Sequence, residues 1–354
     1  MAVVTKLTVQ NIRSHDNLTI ELSPTVTVIT GSNGSGKTSL LESLYIGLQG
    51  GSFKGSDSEI LRRDKPWWSI HIEFENDNSR LIKFDPIRPS GRKQFVIDDK
   101  INYRLLPKYQ HPVVLFEPDD LRLLHGSPSR RRQFIDRFIC QLNPLYKTAL
   151  HKYERALRQR NSLLKNRYTS NDDLFVWNIA LSEYGSYIIE QRIIFIEKLN
   201  SQLNDYYNKI ANSKDIVSMH YSHTVIGDIK QKLLSEYHAH IEKDKIVGFT
   251  STGPHRHDVI FKYNDSPALA VASRGEVRSI VLALKFLEVD IIEQITDIKP
   301  IILLDDVFSE LDEDRQKSLL SPDAQIIITS TSAPTKLKTN TKIIHLHHCI
   351  GESK

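Results

Sequence analysis

The fold is decided by eight consecutive residues, Gly31-Ser32-Asn33-Gly34-Ser35-Gly36-Lys37-Thr38, which match the phosphate-binding pattern G-x-x-x-x-G-K-[ST]. The apolar, β-branched run Val26–Thr30 precedes them and predicts a buried strand. The following Ser39–Leu44 contains neither glycine nor proline, so a helix should begin at Lys37. Strand, glycine-rich loop and helix in this order indicate a nucleotide-binding α/β fold.

The residue types of this loop suit the binding of phosphate. Glycines let the backbone curl with its amide groups turned inward, and the helix start adds unpaired N–H groups and a positive dipole end. Lys37 is placed to reach the β- and γ-phosphates and to act in catalysis, and the Thr38 hydroxyl is placed to bind Mg²⁺. We therefore predict nucleotide contacts from Gly31, Ser32, Asn33, Gly34, Ser35, Gly36, Lys37, Thr38 and Ser39.

Length and composition limit the class of protein. The 354 residues suffice for two lobes, and 25% charged with 40% hydrophobic residues is ordinary for a soluble globular chain. A net charge of +4 is too small to indicate a nucleic-acid binder without local clustering. Two cysteines, Cys140 and Cys349, fit a reducing compartment. Without a signal-peptide core or a long apolar run, we expect a cytoplasmic protein with no membrane partner.

The pattern along the chain predicts an α/β lobe interrupted by helices. Strands are predicted at Val3–Val9, Leu18–Leu22, Val26–Thr30, Ile70–Phe74, Leu81–Phe84, Phe95–Ile97 and Val113–Phe116. From Ser127 and Pro128 to about Glu242 almost every segment is predicted to be helical. Past Ile246 we predict a helix at Glu276–Glu293 and strands at Val259–Tyr263, Ile301–Leu304, Ile326–Thr329 and Ile343–Leu346.

We therefore divide the chain into an ATPase-type lobe built from residues 1–125 and 246–354, with a helical lobe, residues 126–245, inserted between its halves. Within the insert, Tyr146–Leu164 and Leu174–Ile210 repeat apolar residues every three or four positions. The polar Thr169–Asp173 segment could turn them into a protruding antiparallel hairpin. Two amphipathic helices packed on one domain explain the pattern equally well.

A second acidic element belongs with the phosphate loop. Ile301-Ile302-Leu303-Leu304 is an apolar run that ends in Asp305 and Asp306, with Ser309-Glu310-Leu311-Asp312 shortly after. A strand ending in an acid beside a phosphate loop is how such folds hold Mg²⁺. We assign the metal contact to Asp305 and activation of the attacking water to Asp306. An acidic helix start after a strand would look the same.

The turn Ser273-Arg274-Gly275-Glu276 opens the helix that follows it and forms a second anion site. A phosphate loop, a serine-glycine helix start and a strand-Asp-Asp in one chain resemble the ABC-type ATPases. The resemblance implies that Ser273 and Gly275 of one copy close over ATP held by another. ATP would then join a head-to-tail homodimer.

Within that superfamily the chain resembles the RecF family over nearly its whole length. The resemblance rests on Leu7–Arg13, Gly34–Glu42, Leu115–Leu121, Gly126–Asp136 and Thr252–Arg256. It implies a weak ATPase of DNA replication, repair and the SOS response to DNA damage. ATP would close two copies on duplex DNA near single-strand gaps, slow hydrolysis would open them, and RecR- and RecO-like partners would help load recombinase. Ile12, Lys54, His257 and Glu276 depart from the family pattern, which puts in doubt any arginine contact at position 54.

Basic residues in the helical insert are candidates for DNA contacts. Between Lys147 and Arg167 lie seven basic residues, Lys147, Lys152, Arg155, Arg158, Arg160, Lys165 and Arg167, against the single acid Glu154. Arg130, Arg131 and Arg132 form a second cluster. Such a stripe binds phosphate oxygens without reading bases, although a solvated helix face has the same composition. The family resemblance favours DNA.

Other classes of function compete with this prediction. The chain could be the soluble ATPase subunit of a membrane transporter, or an SMC-like or toxin–antitoxin ATPase controlling a nuclease, although no nuclease acid cluster is visible. His345, His347, His348 and Cys349 could bind a metal, but their spacing fits no zinc finger. Trp67 and Trp68 are expected to pack at a strand start.

Overall fold

The computed structural model describes residues 3–88, 93–166, 168–223, 227–307, 316, 324–332 and 341–346. Residues 1–120 and 289–354 form one compact unit, called the first unit, and residues 121–288 form the second unit. Among the residues described, no helix is both long and apolar enough to span a bilayer.

The first unit contains a five-stranded parallel sheet. Its strands are β3 (Val26–Thr30), β8 (Val113–Phe116), β12 (Ile301–Asp305), β13 (Ile326–Ser330) and β14 (Thr341–His345), in the order β14-β3-β13-β12-β8. Every residue of β3, β8, β12 and β13 is buried, as expected for apolar strands inside a parallel sheet. Strands are thus confirmed at all five predicted places, with bounds that shift by two residues or fewer.

A six-stranded antiparallel sheet completes the first unit. Its strands are β1 (Val4–Ile12), β2 (His15–Glu21), β4 (Trp68–Phe74), β5 (Ser79–Phe84), β6 (Gln94–Ile97) and β7 (Lys100–Asn102), in the order β2-β1-β4-β5-β6-β7. Helix α1 (Lys37–Gln49) shares one apolar core with both sheets. A side chain at Gly47 would place its Cβ 2.0 Å from Ile72 Cδ1, so this glycine lets the helix approach the sheet. A single helical turn, α2 (Asp57–Ile60), follows α1 in the sequence and precedes β4.

The second unit is mainly helical. It contains α3 (Pro128–Leu142), α4 (Pro144–Leu164), α5 (Asn171–Ala211), α6 (Ile229–Ala239), α7 (Ile241–Val247), α8 (Ala268–Val271) and most of α9 (Arg274–Thr296). Helix α5 packs along α4 and also against α6 and a strand of the same unit. The alternative in which both long helices pack within one domain is therefore confirmed.

Three short strands in this region include one that was predicted, Val259–Tyr263, and two that were not. Strands β9 (Val217–Ser222), β10 (Asp258–Tyr263) and β11 (Ser266–Pro267) form an antiparallel sheet in the order β11-β10-β9. The prediction that almost every segment to about Glu242 is helical missed β9, whose burial alternates along the strand. Residues 246–288 lie in the second unit, although the sequence analysis grouped them with the ATPase-type lobe. The assignment of 246–354 to one functional lobe stays a prediction.

Two buried arginines hold the second unit together. Arg160 donates to Asp244 Oδ2 at 2.7 Å, to Asn178 Oδ1 at 2.7 Å and to Thr250 Oγ1 at 2.8 Å. Arg192 donates to both carboxylate oxygens of Asp136 at 2.8 Å. Buried charges persist in proteins when they are paired in this way.

Candidate functional site

The phosphate loop lies between β3 and α1, as predicted. Gly34 and Gly36 have φ of 85° and 89°, in the left-handed region that favours glycine. A Cβ at Gly36 would lie 2.2 Å from His15 Nε2 and 2.3 Å from Ser14 Oγ, so no larger residue fits there. Ser32, Asn33 and Gly34 are exposed, and the loop is therefore open to a ligand.

The Lys37 ammonium lies over this loop. Its side chain is buried, and Nζ donates to the carbonyl oxygens of Gly31 at 2.9 Å and Ser32 at 3.2 Å. Asp306 Oδ2 lies 3.9 Å from the same nitrogen. The charge is thus held at the position where phosphate oxygens meet a phosphate loop.

Thr38 and Asp305 meet directly. The Thr38 hydroxyl donates to Asp305 Oδ1 at 2.9 Å, and the Thr329 hydroxyl donates to the same oxygen at 2.8 Å. The parallel register pairs Asp305 with Thr329, which explains this contact. A hydroxyl oxygen beside a carboxylate is a donor set that suits Mg²⁺, so these residues fit the predicted ion.

Asp306 directly follows β12, and its backbone is in the left-handed region. Its φ is 50°, and its backbone N–H donates to Thr329 O at 3.2 Å and Thr329 Oγ1 at 3.0 Å. Burial raises the pKa of its carboxyl group, Lys37 opposes that rise, and Asp305 adds to it. A carboxylate with a raised pKa is a better proton acceptor near neutral pH. Ser309–Asp312 lie outside the described residues.

Sequence analysis missed the contacts made by the turn between β1 and β2. His15 Nε2 lies 3.1 Å from Gly36 O, and because a carbonyl only accepts, Nε2 carries the proton. Arg13 forms a 2.7 Å ion pair with Glu42 of α1, which is 1% exposed. Arg62 donates to Ser14 O at 2.7 Å. The sequence of residues 11–17 predicts only a turn between strands, and no local pattern indicates that these residues contact the phosphate loop.

The predicted signature turn begins α9 in the second unit. Ser273, Arg274 and Gly275 are exposed. The Glu276 carboxylate accepts from Ser273 N, and Glu276 N donates to Ser273 Oγ at 3.3 Å, which is a capping box. The Ser273 hydroxyl is thereby held at the helix start while its hydrogen can still be donated. Ser273 lies in the second unit, whereas Asp305 lies in the first.

The three consecutive arginines of α3 differ in burial and in their hydrogen-bond partners. Arg131 is buried and donates to both oxygens of Asp258, at 2.8 and 2.7 Å. Arg132 donates to the His257 carbonyl at 2.5 Å. Arg130 is half-buried. The sequence grouped these residues as one basic surface, but two of the three guanidinium groups are used inside the unit.

The basic stripe of α4 is only partly exposed. Lys152, Arg155 and Arg158 are exposed and Lys147 is half-buried. Arg160 is 0% exposed in its pair with Asp244, so its assignment to a solvent-facing stripe was wrong. Arg167 lies outside the described residues.

The family block Thr252–Arg256 is used for internal contacts. His255 Nδ1 lies 2.7 Å from the Tyr153 hydroxyl, and Nε2 lies 3.1 Å from Thr250 O. A Cβ at Gly253, where φ is 112°, would lie 2.3 Å from the Tyr237 hydroxyl. This block therefore joins α4, α6 and the segment before β10.

The remaining candidates are the possible metal ligands near the end of the sequence and the two adjacent tryptophans. His345 Nδ1 lies 2.6 Å from Thr30 Oγ1, while His347, His348 and Cys349 are outside the described residues. The part of the chain that the structure describes contains no group of three or more potential metal ligands. Trp68 is fully buried and stacks on Phe84, as predicted, whereas Trp67 is 40% exposed.

Known proteins resemble the chain over most of its length. The family model described as an AAA domain matches residues 6–246. The DNA replication and repair protein RecF of Lachnoclostridium phytofermentans is 34% identical over 339 residues, which cover 93% of this chain and 92% of that protein. A solved structure described as the recombination mediator protein RecF-ATPrS in the RecFOR pathway is 28% identical, with a TM-score of 0.86 over 98% of this chain and 96% of that one. An SMC head bound to the C-winged helix domain of ScpA, 15% identical with a TM-score of 0.50 over 93% of this chain and 90% of that one, shares the fold alone.

Proposed function

The chain belongs to the RecF family of DNA replication and repair proteins, and on this premise we propose that it is an ATP-driven DNA clamp. Two copies bind head to tail when ATP occupies the phosphate loop, and they close on duplex DNA near single-strand gaps. Slow hydrolysis then opens them. Family membership replaces the alternative of a transporter subunit.

One observation carries the nucleotide part of the proposal, namely the meeting of Thr38, Asp305 and Thr329 beside the Lys37 ammonium. Thr38 and Asp305 would hold Mg²⁺, which when bound draws charge from the β- and γ-phosphate oxygens. Lys37 neutralises negative charge on the same oxygens. These residues come from the ends of two strands and from a helix start, so the backbone holds them in place.

Asp306 activates the attacking water in this mechanism. Its carboxylate accepts the proton as the water oxygen approaches the γ-phosphate. The two hydrogen bonds from its backbone N–H to Thr329 fix the residue. Lys37, 3.9 Å away, attracts that carboxylate and limits the rise of its pKa.

Ser273 and Gly275 complete the nucleotide site of the other copy. Both are exposed, and the capping box holds Ser273 at the positive end of α9. Because one copy supplies the phosphate loop and the other the serine, ATP would join the two copies.

DNA contacts are proposed for the exposed residues Lys152, Arg155 and Arg158 of α4, with Arg130. Arg131 and Arg132 are not carried into this surface, because their guanidinium groups bind Asp258 and the His257 carbonyl. Partners similar to RecR and RecO follow from the pathway in which the solved relative is described.

The test is the size of the protein in ADP and in ATP, each with and without a gapped duplex. We expect a dimer with ATP alone or ATP and DNA, and a monomer with ADP. Lys37→Met removes the ammonium and should abolish the dimer. Lys100→Met, at an exposed position, controls for loss of a lysine.

A mixing experiment separates head-to-tail pairing from other dimers. The Lys37→Met chain and the Ser273→Arg chain should each fail to dimerise alone. Neither homodimer has a site in which an intact phosphate loop of one copy faces an intact serine of the other. Mixed together, they restore one site that combines an intact loop with an intact serine. A Lys37→Met chain that still dimerises with ATP, or a mixture that stays monomeric, would overturn the clamp.

A further inference from the structure

A cavity opens on the antiparallel sheet of the first unit. Its volume is about 330 Å³, which suits a large side chain with its neighbouring peptide groups or a small organic molecule. None of its described lining residues belongs to the phosphate loop, to α4 or to the turn that begins α9. The cavity is therefore separate from the nucleotide and DNA sites proposed above.

The register of the sheet builds one side of this cavity. Four lining residues are paired directly across β1, β4, β5 and β6, namely Gln10, Ser69, Lys83 and Gln94. The residues next to them along the strands are buried in the core shared with α1, namely Val9, Ile70, Ile82 and Phe95. Successive side chains of a strand point to opposite faces, so the four polar residues lie on the face turned away from α1.

Aromatic side chains supply the apolar part of the cavity. Trp67 directly precedes β4 and is 40% exposed. Trp68 and Phe84 are buried, and their rings stack with centroids 5.5 Å apart. A tryptophan exposed beside rigid aromatic neighbours is typical of binding surfaces, because an apolar group of a partner can cover its ring at little cost in conformational entropy.

The unengaged polar groups of the cavity are hydrogen-bond donors. In the part of the chain that the structure describes, the Lys83 ammonium and the Trp67 indole N–H have no polar partner. The carbonyl oxygen of the Gln94 side chain accepts from Arg88 Nη1 at 3.1 Å, which leaves the Gln94 amino group as a donor. A ligand that matches these groups brings acceptors.

The charges in the cavity favour an anion. Asp85 is the one acid of the described lining, and both of its carboxylate oxygens are engaged. Oδ1 accepts from Ile87 N at 3.0 Å, and Oδ2 lies 3.2 Å from Arg88 Nε. Among the described residues, the charge of Lys83 is left without a counter-ion. A single such cation suits a carboxylate better than the successive phosphates of DNA, which require several cations.

We propose that this cavity docks a partner protein through an acidic segment that carries a large apolar side chain. The apolar side chain packs against Trp67, a neighbouring carboxylate binds the Lys83 ammonium, and a backbone carbonyl oxygen accepts from Gln94. A nucleobase fits less well, because its amino groups need acceptors and the Asp85 carboxylate already holds two donors. Docking here needs neither a nucleotide nor a second copy, so it can be tested apart from the clamp.

The first experiment uses a defined peptide, acetyl-aspartyl-phenylalanyl-glutamyl amide, titrated into the full chain by calorimetry at low salt. We expect binding that weakens when asparagine and glutamine replace the two acids, and that is lost when alanine replaces the phenylalanine. Added salt should weaken it too, because it screens an exposed charge pair. If the peptide does not bind, or if its uncharged form binds equally well, the docking site is refuted.

Substitutions in the chain test whether the peptide occupies this cavity. Lys83→Met should weaken binding about two- to fivefold, as loss of an exposed charge pair does, and Lys83→Arg should retain it. Lys100→Met, at an exposed position of the same sheet, is the matched control and should bind as the wild type does. Equal affinities of the Lys83→Met and Lys100→Met chains would place the peptide elsewhere and overturn the proposal.

Trp67→Ala should weaken peptide binding about tenfold or more, because it removes the ring on which the apolar side chain packs. An unchanged affinity would contradict that packing. If this variant does not fold, the exposed Lys83 variants decide the question alone.

A further titration decides between classes of ligand. Pentadeoxyadenylate and phenylacetate are added to the wild type and to the Trp67→Ala chain, and we expect neither to displace the peptide from the wild type. Oligonucleotide binding that depends on Trp67, without peptide binding, would assign the cavity to an unpaired DNA strand. Phenylacetate binding as tight as that of the peptide would assign it to a small aromatic acid. Either result overturns the docking of a partner protein.

Discussion

At the scale of single residues, His255 shows how burial fixes a protonation state. Its Nε2 donates to Thr250 O, so its Nδ1 accepts from the Tyr153 hydroxyl at 2.7 Å. Burial is the main reason why the pKa of His255 falls to about 4; the hydrogen bond to Thr250 opposes this fall, and the nearby Arg256 and Arg132 charges contribute to it. The neutral ring is thus part of the folded structure.

The stability of the fold should therefore depend on pH in a definite direction. The histidine has a lower pKa folded than unfolded, so the unfolded chain binds more protons as pH falls from about 6.5 towards 4. Stability is complete above that window and decreases within it, by up to roughly 1.4 kcal/mol per pH unit for one histidine. Denaturant unfolding between pH 7.5 and 5 measures this slope.

The comparison is between His255→Gln and His151→Gln, the latter at an exposed position on α4. The His255 variant should be less stable at pH 7.5 and should have the shallower slope, whereas the His151 variant should follow the wild type. Parallel slopes for His255→Gln and the wild type would show that the ring is not kept neutral by the fold.

Single residues also show where sequence reasoning succeeds and where it stops. The positions of Lys37 and Thr38 at a helix start and of Asp305 at a strand end could be predicted from their own neighbours, because strand, loop and helix signals are local. Arg131 and Arg160 could not, since their partners, Asp258 and Asp244, lie 127 and 84 residues further on. A basic residue has the same letter whether it faces solvent or a buried acid.

At the scale of elements, α4 carries both kinds of arginine two positions apart. Arg158 is exposed, and Arg160 is enclosed with Asp244, Asn178 and Thr250. A helical repeat of 3.6 residues turns such neighbours by about 200°, so they point to opposite sides. The sequence predicts the helix, but its run of basic residues does not show which of them are exposed and which are buried.

The two arginines should differ sharply in their contribution to stability. Arg160→Met leaves the Asp244 carboxylate buried without its partner and should cost about 3–5 kcal/mol. Arg158→Met should stay within about 0.5 kcal/mol, as surface changes usually do. Chemical denaturation of both variants measures the difference. Adding Asp244→Leu to Arg160→Met should recover part of the loss, and equal stabilities of the two single variants would contradict the buried pair.

The type of most elements was predictable from the sequence, whereas β9 and the order of the strands were not. Strand β9 alternates buried and less buried residues, yet it lies among long helices and was assigned to them. In the parallel sheet, β3 pairs with β13, and Val28 lies opposite Ile328. Strands buried on both faces carry no alternation that would select a neighbour or a register. The strand order therefore required the structure.

At the scale of the whole molecule, the parallel sheet draws β3 and β8 from before the helical unit and β12, β13 and β14 from after it. Asp305 and Thr38 meet only when strands from both parts have paired. The candidate nucleotide site thus depends on pairing between strands that lie before and after the helical unit in the sequence. The pattern of predicted strands and helices anticipated this arrangement, while composition alone, with a net charge of +4, indicated neither nucleotide nor DNA.

In the proposed clamp DNA lies along α4, and the dependence of its affinity on salt should reveal that surface. Arg155→Glu with Arg158→Glu removes up to two phosphate contacts, so affinity should fall and the slope of log affinity against log salt should flatten by up to about 1.8. Lys232→Glu with Lys243→Glu makes the same change in net charge at exposed positions outside α4 and should leave that slope near the wild-type value. The measurement is the affinity for a gapped duplex in the presence of ATP at salt concentrations from about 50 to about 200 mM, a range in which affinity changes strongly with salt. If the two pairs of substitutions lowered affinity and slope equally, the effect would belong to overall charge, and the path of DNA would lie elsewhere than on α4.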